Sequence, residues 1–213
     1  MKVAPPHPQE EARLAALDAL EILDTLPEAG FDDLTRLASR LCEAPIALVS
    51  LVDHYRQWFK SRVGLEAQET PRDIAFCTHA ILGERPFVVE DARHDERFHD
   101  NPLVTGELHL RFYAGVPIKG VGGHNLGTLC VIDQQPRQLT AEQAEMLVAI
   151  GRQVEAQLRL RLRLRVRELE RRSAPCPTCW TRAATSPPSP SKRPPSTPTC
   201  CCPRWHVTSS NGW

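Results

Sequence analysis

Hydrophobic and polar positions alternate in two rhythms along this chain. Leu14, Leu17, Leu20 and Leu23 recur every third residue after Pro8, the spacing of one face of a helix, and Asp24-Thr-Leu-Pro27 ends the run. Phe31, Leu34, Leu37, Ala38 and Leu41 predict a second helix from about Phe31 to Cys42, closed by Pro45. The rhythm then changes. Ile46–Val52 is a continuous β-rich run of buried-strand length, Asp53–Arg56 a turn, and Gln57–Val63 a more loosely alternating strand, which together suggest a hairpin. Ile74–Leu82 reads as a short helix and Phe87–Val89 as a strand. The polar stretch 91–106 reads as a long loop holding a helical turn, and loops of that length are usually functional or mobile. Phe112–Ile118 and Leu126–Ile132 are two further strands joined by the glycine-rich Lys119–Asn125, as an antiparallel hairpin requires. Thr140 and Gln143 form a capping box that opens a long helix reaching about Arg172. Strands joined mostly by short turns predict an antiparallel sheet with helices on a face, an α+β fold and not a doubly wound one.

Composition refines the picture. The 213 residues balance 26 Lys+Arg against 26 Asp+Glu, with 41% hydrophobic and 24% charged residues, the make-up of a globular protein. That balance is a sum of unlike pieces. Residues 173–213 hold nine prolines and five of the eight cysteines with no Asp, Glu, Leu, Ile or Phe, while residues 1–172 carry 22 basic and 26 acidic groups. A body with net charge −4 has no electrostatic footprint for nucleic acid. No apolar run approaches the roughly 18 residues of a membrane span, and Met1–Pro8 lacks the apolar core of a signal peptide, so the expected compartment is the cytoplasm.

Ala75-Phe-Cys-Thr-His-Ala-Ile81, Asp100–Gly106, Arg111-Phe-Tyr-Ala-Gly-Val-Pro117 and Leu126-Gly-Thr-Leu-Cys-Val-Ile-Asp133, with Asp18–Thr25, Ile46–Asp53 and Arg56–Gly64, resemble the GAF domains that open bacterial sensor histidine kinases and diguanylate cyclases. The resemblance covers roughly residues 10–165. It implies an α+β GAF fold: a central antiparallel sheet of about six strands, helices packed on one face, a pocket on the other, and a long C-terminal output helix. It further implies a regulatory input to a kinase or cyclase, with a small-molecule ligand or redox state as the stimulus. The ligand's identity and any cofactor stay open. The corresponding organisation is an unstructured 1–8, a sensory domain over 9–138, a signalling and dimerisation helix over 139–172, and a tail over 173–213.

Eight residues are candidates to line the pocket: Phe76, Cys77, His79, Asp91, Arg93, Phe112, Tyr113 and Cys130. Cys77 and His79 could act as thiolate and base, or as metal ligands, if they faced one cavity. On a helix they point about 200° apart, which favours packing. Phe112 and Tyr113 alternate across a strand, so one of them faces away from the helices and could stack a planar ligand. Asp91 and Arg93 are candidate polar contacts, Asp91 doubling as a turn former. Some GAF domains are free methionine sulfoxide reductases; an enzyme of that type using Cys77 or Cys130 is the alternative, although the motif spacing of that enzyme is not recognised here. Gly120–Gly123 is no phosphate cradle, because position 125 is Asn125 and a strand follows. The chain holds no kinase or cyclase residues, so no catalysis is expected of it.

The last helix and the tail add two expectations. Leu147, Ile150, Val154, Leu158, Leu162, Val166 and Leu169 form a stripe longer than one small domain can cover. A twin helix in a parallel homodimer would bury it through residues 140–172. Beyond it, Cys176-x-x-Cys179 and Cys200–Cys202 with His206 loosely imitate zinc-ligand spacing, but Thr181–Thr199 offers nothing apolar to pack. A disordered tail is expected, or a segment translated out of frame from what was once another domain. Sedimentation of residues 1–172 at high micromolar concentration is expected to give a dimer, and a monomer there would count against the shared helix.

Overall fold

The computed structural model describes residues 1–173. The readings of the tail as disordered, zinc-binding or out of frame concern residues outside those described. Six strands form one antiparallel sheet: β1 (Ile46–Val52), β2 (Arg56–Val63), β3 (Glu69–Pro71), β4 (Phe87–Val89), β5 (Phe112–Lys119) and β6 (Asn125–Asp133), in the spatial order β3-β2-β1-β6-β5-β4. The sheet has the expected architecture. Among the described residues no helix is long and apolar enough to cross a membrane.

Both faces of the sheet are covered, which is why Ile46–Val52 is an unbroken apolar run with a single Ser in place of an alternating strand. Ala47, Val49, Leu51, Leu129 and Val131 point to one side, where α1 (Glu10–Asp18), α2 (Ala29–Leu41) and α5 (Ala141–Ser173) close the larger core. Ile46, Leu48, Val52, Cys130 and Ile132 point to the other, under the short helices α3 (Phe76–Ala80) and α4 (Pro102–Thr105) and the segment between β4 and β5. At the centre β1 and β6 run close. A Cβ on Gly127 would come within 1.9 Å of the Ser50 carbonyl oxygen, so only glycine fits that position.

Several details differ from the sequence reading, among them β3, a three-residue strand too short to leave a pattern, and α3, shorter than the helix read over 74–82. The leucine period extends to Leu23, but α1 ends at Asp18, and the chain bends back through Glu21 and Asp24, both with positive φ. Leu20 and Ile22 enter the core from that bend instead of from a helix face. Residues 1–8 contain no helix or strand, yet they are tied down rather than loose: the Lys2 backbone N–H donates to the Arg97 carbonyl (3.0 Å) and the Lys2 carbonyl contacts His79 Nε2 (3.0 Å).

Buried charges connect the elements. In the β1–β2 pairing Val49 faces Ser61 and Ser50 faces Phe59, so Lys60 is the extra residue of a β-bulge. Its fully buried ammonium donates to Thr25 Oγ1, the Leu26 carbonyl and Glu28 Oε1, and lies over the Phe31 ring. Glu28 also receives Arg161 of α5, whose guanidinium donates further to the Leu20 and Glu21 carbonyls exposed by the bend. The long helix is thereby fastened to the bulge and to the end of α1. Its Leu147, Ile150, Val154 and Leu158 are buried, and Leu162 is partly so. Beyond that point Leu160, Leu164, Val166 and Leu169 are exposed, each by 46% or more.

A second buried cation, Arg13, donates to the Val52 carbonyl (2.6 Å) and makes a two-pronged pair with Glu10, which also pairs with Arg72. Burial pushes the Glu10 carboxyl up, but its hydrogen bonds to Arg13 and Arg72 prevail and hold it at about 2. A carboxyl depressed on folding stabilises the protein above its unfolded value near 4.5, and that contribution fades as pH falls toward about 2. Glu10→Gln is therefore expected to lower stability by about 2 kcal/mol at neutral pH, allowing for partial exposure of the pair. Urea midpoints for both proteins should converge through the acidic range.

Candidate functional site

The face of the sheet away from α1, α2 and α5 carries a buried polar cluster inside an apolar core. Cys77 on α3 is at its centre. Tyr113 on β5 donates its hydroxyl to Cys77 Sγ (3.1 Å), Thr128 on β6 donates its own (2.9 Å), and Cys130, two residues along β6, places its sulfur 3.9 Å away. Tyr113 and Thr128 are themselves 3.4 Å apart. The alternation of a strand explains the set, since Thr128 and Cys130 share one face of β6 while Leu129 and Val131 share the other.

Glycine makes the reach possible. Tyr113 and Gly115 lie on the same face of β5, and a Cβ at 115 would fall 2.2 Å from the Tyr113 hydroxyl oxygen. With no side chain there, the phenol lies along its own strand toward α3. Two asparagines hold that short helix in place. Asn101 caps α4 by accepting from the Leu103 N–H and donates its amide to the Ile74 carbonyl; Asn125 donates to the Ile81 and Gly83 carbonyls at the end of α3. The Phe76 ring stacks on Phe98 (3.8 Å between centroids) and contacts Tyr113 (5.3 Å).

The electrostatics follow from these contacts. Burial pushes the Cys77 thiol up, but hydrogen bonds from Cys130 and the surrounding hydroxyls outweigh it and bring the group down to about 7. Ser50, opposite Thr128 on β1, is close enough to contribute, although its hydroxyl completes no hydrogen bond. Burial and the charge of Cys77 raise Tyr113, which keeps the phenol protonated as a donor. Cys130 is raised by its pairing with Cys77 and by burial. Cys77 is the acidic member of the pair.

Beside the cluster lies a small cavity of about 20 Å³, room for a water-sized molecule. Cys77, Tyr113, Phe59 and Phe76 wall it with Leu103, Leu108 and Leu110 of the long connection. Gln57 and Thr70, cross-strand partners on β2 and β3, also line it, and Gln57 Oε1 and Thr70 Oγ1 are buried with no protein partner. Each is a hydrogen-bonding group facing a space in an apolar wall.

Of the eight candidate residues, Phe76, Cys77, Tyr113 and Cys130 meet at this cluster. Phe112 does not: it packs in the core under the long helices, and Tyr113 is the aromatic on the far face. His79 has different partners from Cys77, stacking edge-on to Phe98 (4.8 Å) and contacting the Lys2 carbonyl, with burial lowering its pKa. Asp91 and Arg93 satisfy one another in a two-pronged ion pair, joined by His94, and the guanidinium beside Asp91 holds its carboxyl well below the usual carboxylate range. Neither lines the cavity. Gln57, Thr70, Thr128, Asn101 and Asn125 were missed. The Asn101-Pro102 capping pair was a readable signal, whereas Gln57 and Thr70 gain meaning only from strand register. Among the described residues no group of three or more His, Cys, Asp or Glu could hold a metal ion.

The sequence profile of the GAF domain matches residues 27–158. A curated cyclic di-GMP phosphodiesterase of Pseudomonas aeruginosa is 47% identical over 139 residues, 65% of this chain and 24% of that protein, so the match spans about a quarter of its length. The expectation that this chain has no part in catalysis as an enzyme is corrected by that match, since the similar protein is named as an enzyme, a cyclic di-GMP phosphodiesterase. Among solved structures, the GAF domain of an Acinetobacter phosphoenolpyruvate-protein phosphotransferase superposes with a TM-score of 0.52 at 19% identity, covering 68% of this chain and 92% of that one. The free methionine-R-sulfoxide reductase of Neisseria meningitidis gives 0.52 at 15% identity, covering 77% and 99%. Similarities that distant establish the fold alone. Tyr113→Phe removes a donor to the Cys77 sulfur, so the Cys77 pKa is expected to rise, read from thiolate absorbance during a pH titration of the folded protein.

Proposed function

This chain belongs to the GAF domain family, and on that premise we propose that it is a cytoplasmic sensory module that regulates the turnover of a cyclic dinucleotide through its long C-terminal helix. The 47% identity over 139 residues with the Pseudomonas aeruginosa phosphodiesterase carries this reading, because a match of that length is as long as the whole domain that the GAF profile matches at residues 27–158. The stimulus is a small molecule bound at the cavity. Gln57 Oε1 would accept a hydrogen bond from it, the Thr70 hydroxyl would donate or accept, and the Tyr113 and Phe76 rings would contact its apolar part. With about 20 Å³ available, anything larger than water enters by displacing Leu103 and Leu108 of the overlying connection, which ties occupancy to loop position.

The route outward is α5. Its first half is packed against the sheet and fastened by Arg161 to Glu28, so a shift in the sheet reaches the exposed second half as a change in helix position. Leu162, Val166 and Leu169, spaced by four and three, then pair with the same residues of a second copy. Seven arginines against two glutamates over residues 159–172 make that pairing stronger as salt screens like charges.

Replacing the corresponding stretch of the Pseudomonas aeruginosa enzyme with residues 27–165 of this chain is expected to yield a protein that hydrolyses cyclic di-GMP. Gln57→Leu in that hybrid should change the rate. A folded hybrid whose rate ignores Gln57→Leu would sink the sensory reading of the cavity.

A further inference from the structure

We propose that Cys77 and Cys130 form a redox-sensitive thiol pair, oxidised to a disulfide by a small hydroperoxide such as hydrogen peroxide. The two sulfurs lie 3.9 Å apart on facing elements, α3 and β6. Closing the bond to about 2.05 Å needs an approach of about 2 Å, a movement available to a five-residue helix held at its ends by side-chain amides.

The two sulfurs are not equivalent, and their surroundings assign the roles. Cys77 Sγ accepts from Tyr113 (3.1 Å) and Thr128 (2.9 Å), an arrangement that favours thiolate, and it lines the cavity, which an oxidant of two oxygen atoms could enter by displacing Leu103 and Leu108. Cys130 is fully buried and does not line the cavity, and its sulfur lies 3.9 Å from that of Cys77. Cys42 supplies the contrast. It is buried in the core under the long helices, and burial raises its thiol with no second sulfur to pair with among the described residues.

The chemistry is two-electron throughout. The Cys77 thiolate attacks one peroxide oxygen and the O–O bond breaks. The departing hydroxide takes up the proton lost by Cys77 and leaves as water, with sulfenic acid at Cys77. The Cys130 sulfur then attacks the Cys77 sulfur, an S–S bond forms as the S–O bond breaks, and the hydroxide leaves as water with the Cys130 proton. Two thiols and one hydrogen peroxide give one disulfide and two waters. The product removes the thiolate that Tyr113 and Thr128 hydrogen-bond, so oxidation alters the same wall of the cavity that a ligand would touch.

The test is a peptide map of the full chain. The purified protein is treated with hydrogen peroxide, denatured, alkylated, and digested without reduction before mass spectrometry. A disulfide-linked pair of peptides carrying Cys77 and Cys130, lost on adding dithiothreitol, is expected, with Cys42 alkylated. Tyr113→Phe should form the same pair more slowly. At pH 7, a rise of one unit from about 7 in the Cys77 pKa cuts thiolate about fivefold and raises its nucleophilicity about threefold, so the net slowing is about twofold. In Cys130→Ser, dimedone should trap sulfenic acid at Cys77. Recovery of Cys77 and Cys130 as alkylated thiols at peroxide levels that oxidise other cysteines of the chain would overturn the proposal. Formation at an equal rate in folded Tyr113→Phe would overturn the role given to the hydroxyls.

Discussion

A sheet covered on both faces leaves no water for a polar side chain to turn to, and that constraint governs this molecule. Every buried polar group must be met by the protein or be costly to bury. Arg13 is met by Val52 and Glu10, Lys60 by Thr25, Leu26 and Glu28, and the Asn125 amide nitrogen by two carbonyls at the end of α3. These contacts are also the structural joints, because each links elements that are distant in sequence. The groups left over are as informative. Gln57 Oε1 and Thr70 Oγ1 share one cavity, Ser50 Oγ lies on the same face of the sheet, and Asn125 Oδ1 is the fourth such atom among the described residues.

The cluster at Cys77 follows the same logic. A thiol, a phenol and a hydroxyl inside an apolar core are tolerable because they satisfy one another, and a side chain at Gly115 would remove the space that lets Tyr113 take part. The motifs that carry the family resemblance are thus legible as geometry. Tyr113-Ala-Gly115 is a donor with the room to reach its acceptor, Gly127-Thr128 combines close strand approach with a second donor, and Asn101-Pro102 caps a turn while holding α3.

The long helix runs from the sheet to beyond its edge. Its apolar stripe looks continuous in sequence, but the sheet covers it only as far as Leu158, and Arg161 marks the transition by binding the Glu28 carboxylate and the carbonyls freed by the bend after α1. Lys60, placed by the bulge, holds the other side of Glu28. Sheet geometry and helix position therefore share one carboxylate, a compact route by which a disturbance in β2 could reach the part of α5 that leaves the domain.

The sequence by itself determined most of the element types and the antiparallel α+β fold, because an unbroken apolar run, a period of three to four residues and a capping box are local patterns whose meaning does not depend on distant partners, and its motifs carried the resemblance to the family. It also isolated Cys77, Tyr113 and Cys130 as residues of interest, without deciding between Phe112 and Tyr113 or separating Cys77 from His79. Only the tertiary structure decided those. Which face of β5 meets the long helices is a matter of register, the end of α1 at Asp18 depends on a bend completed by Arg161 from far along the chain, and Gln57 and Thr70 become a pair only when β2 and β3 are side by side. Each is a long-range contact, whose energy belongs to two segments at once and leaves no periodic trace in either.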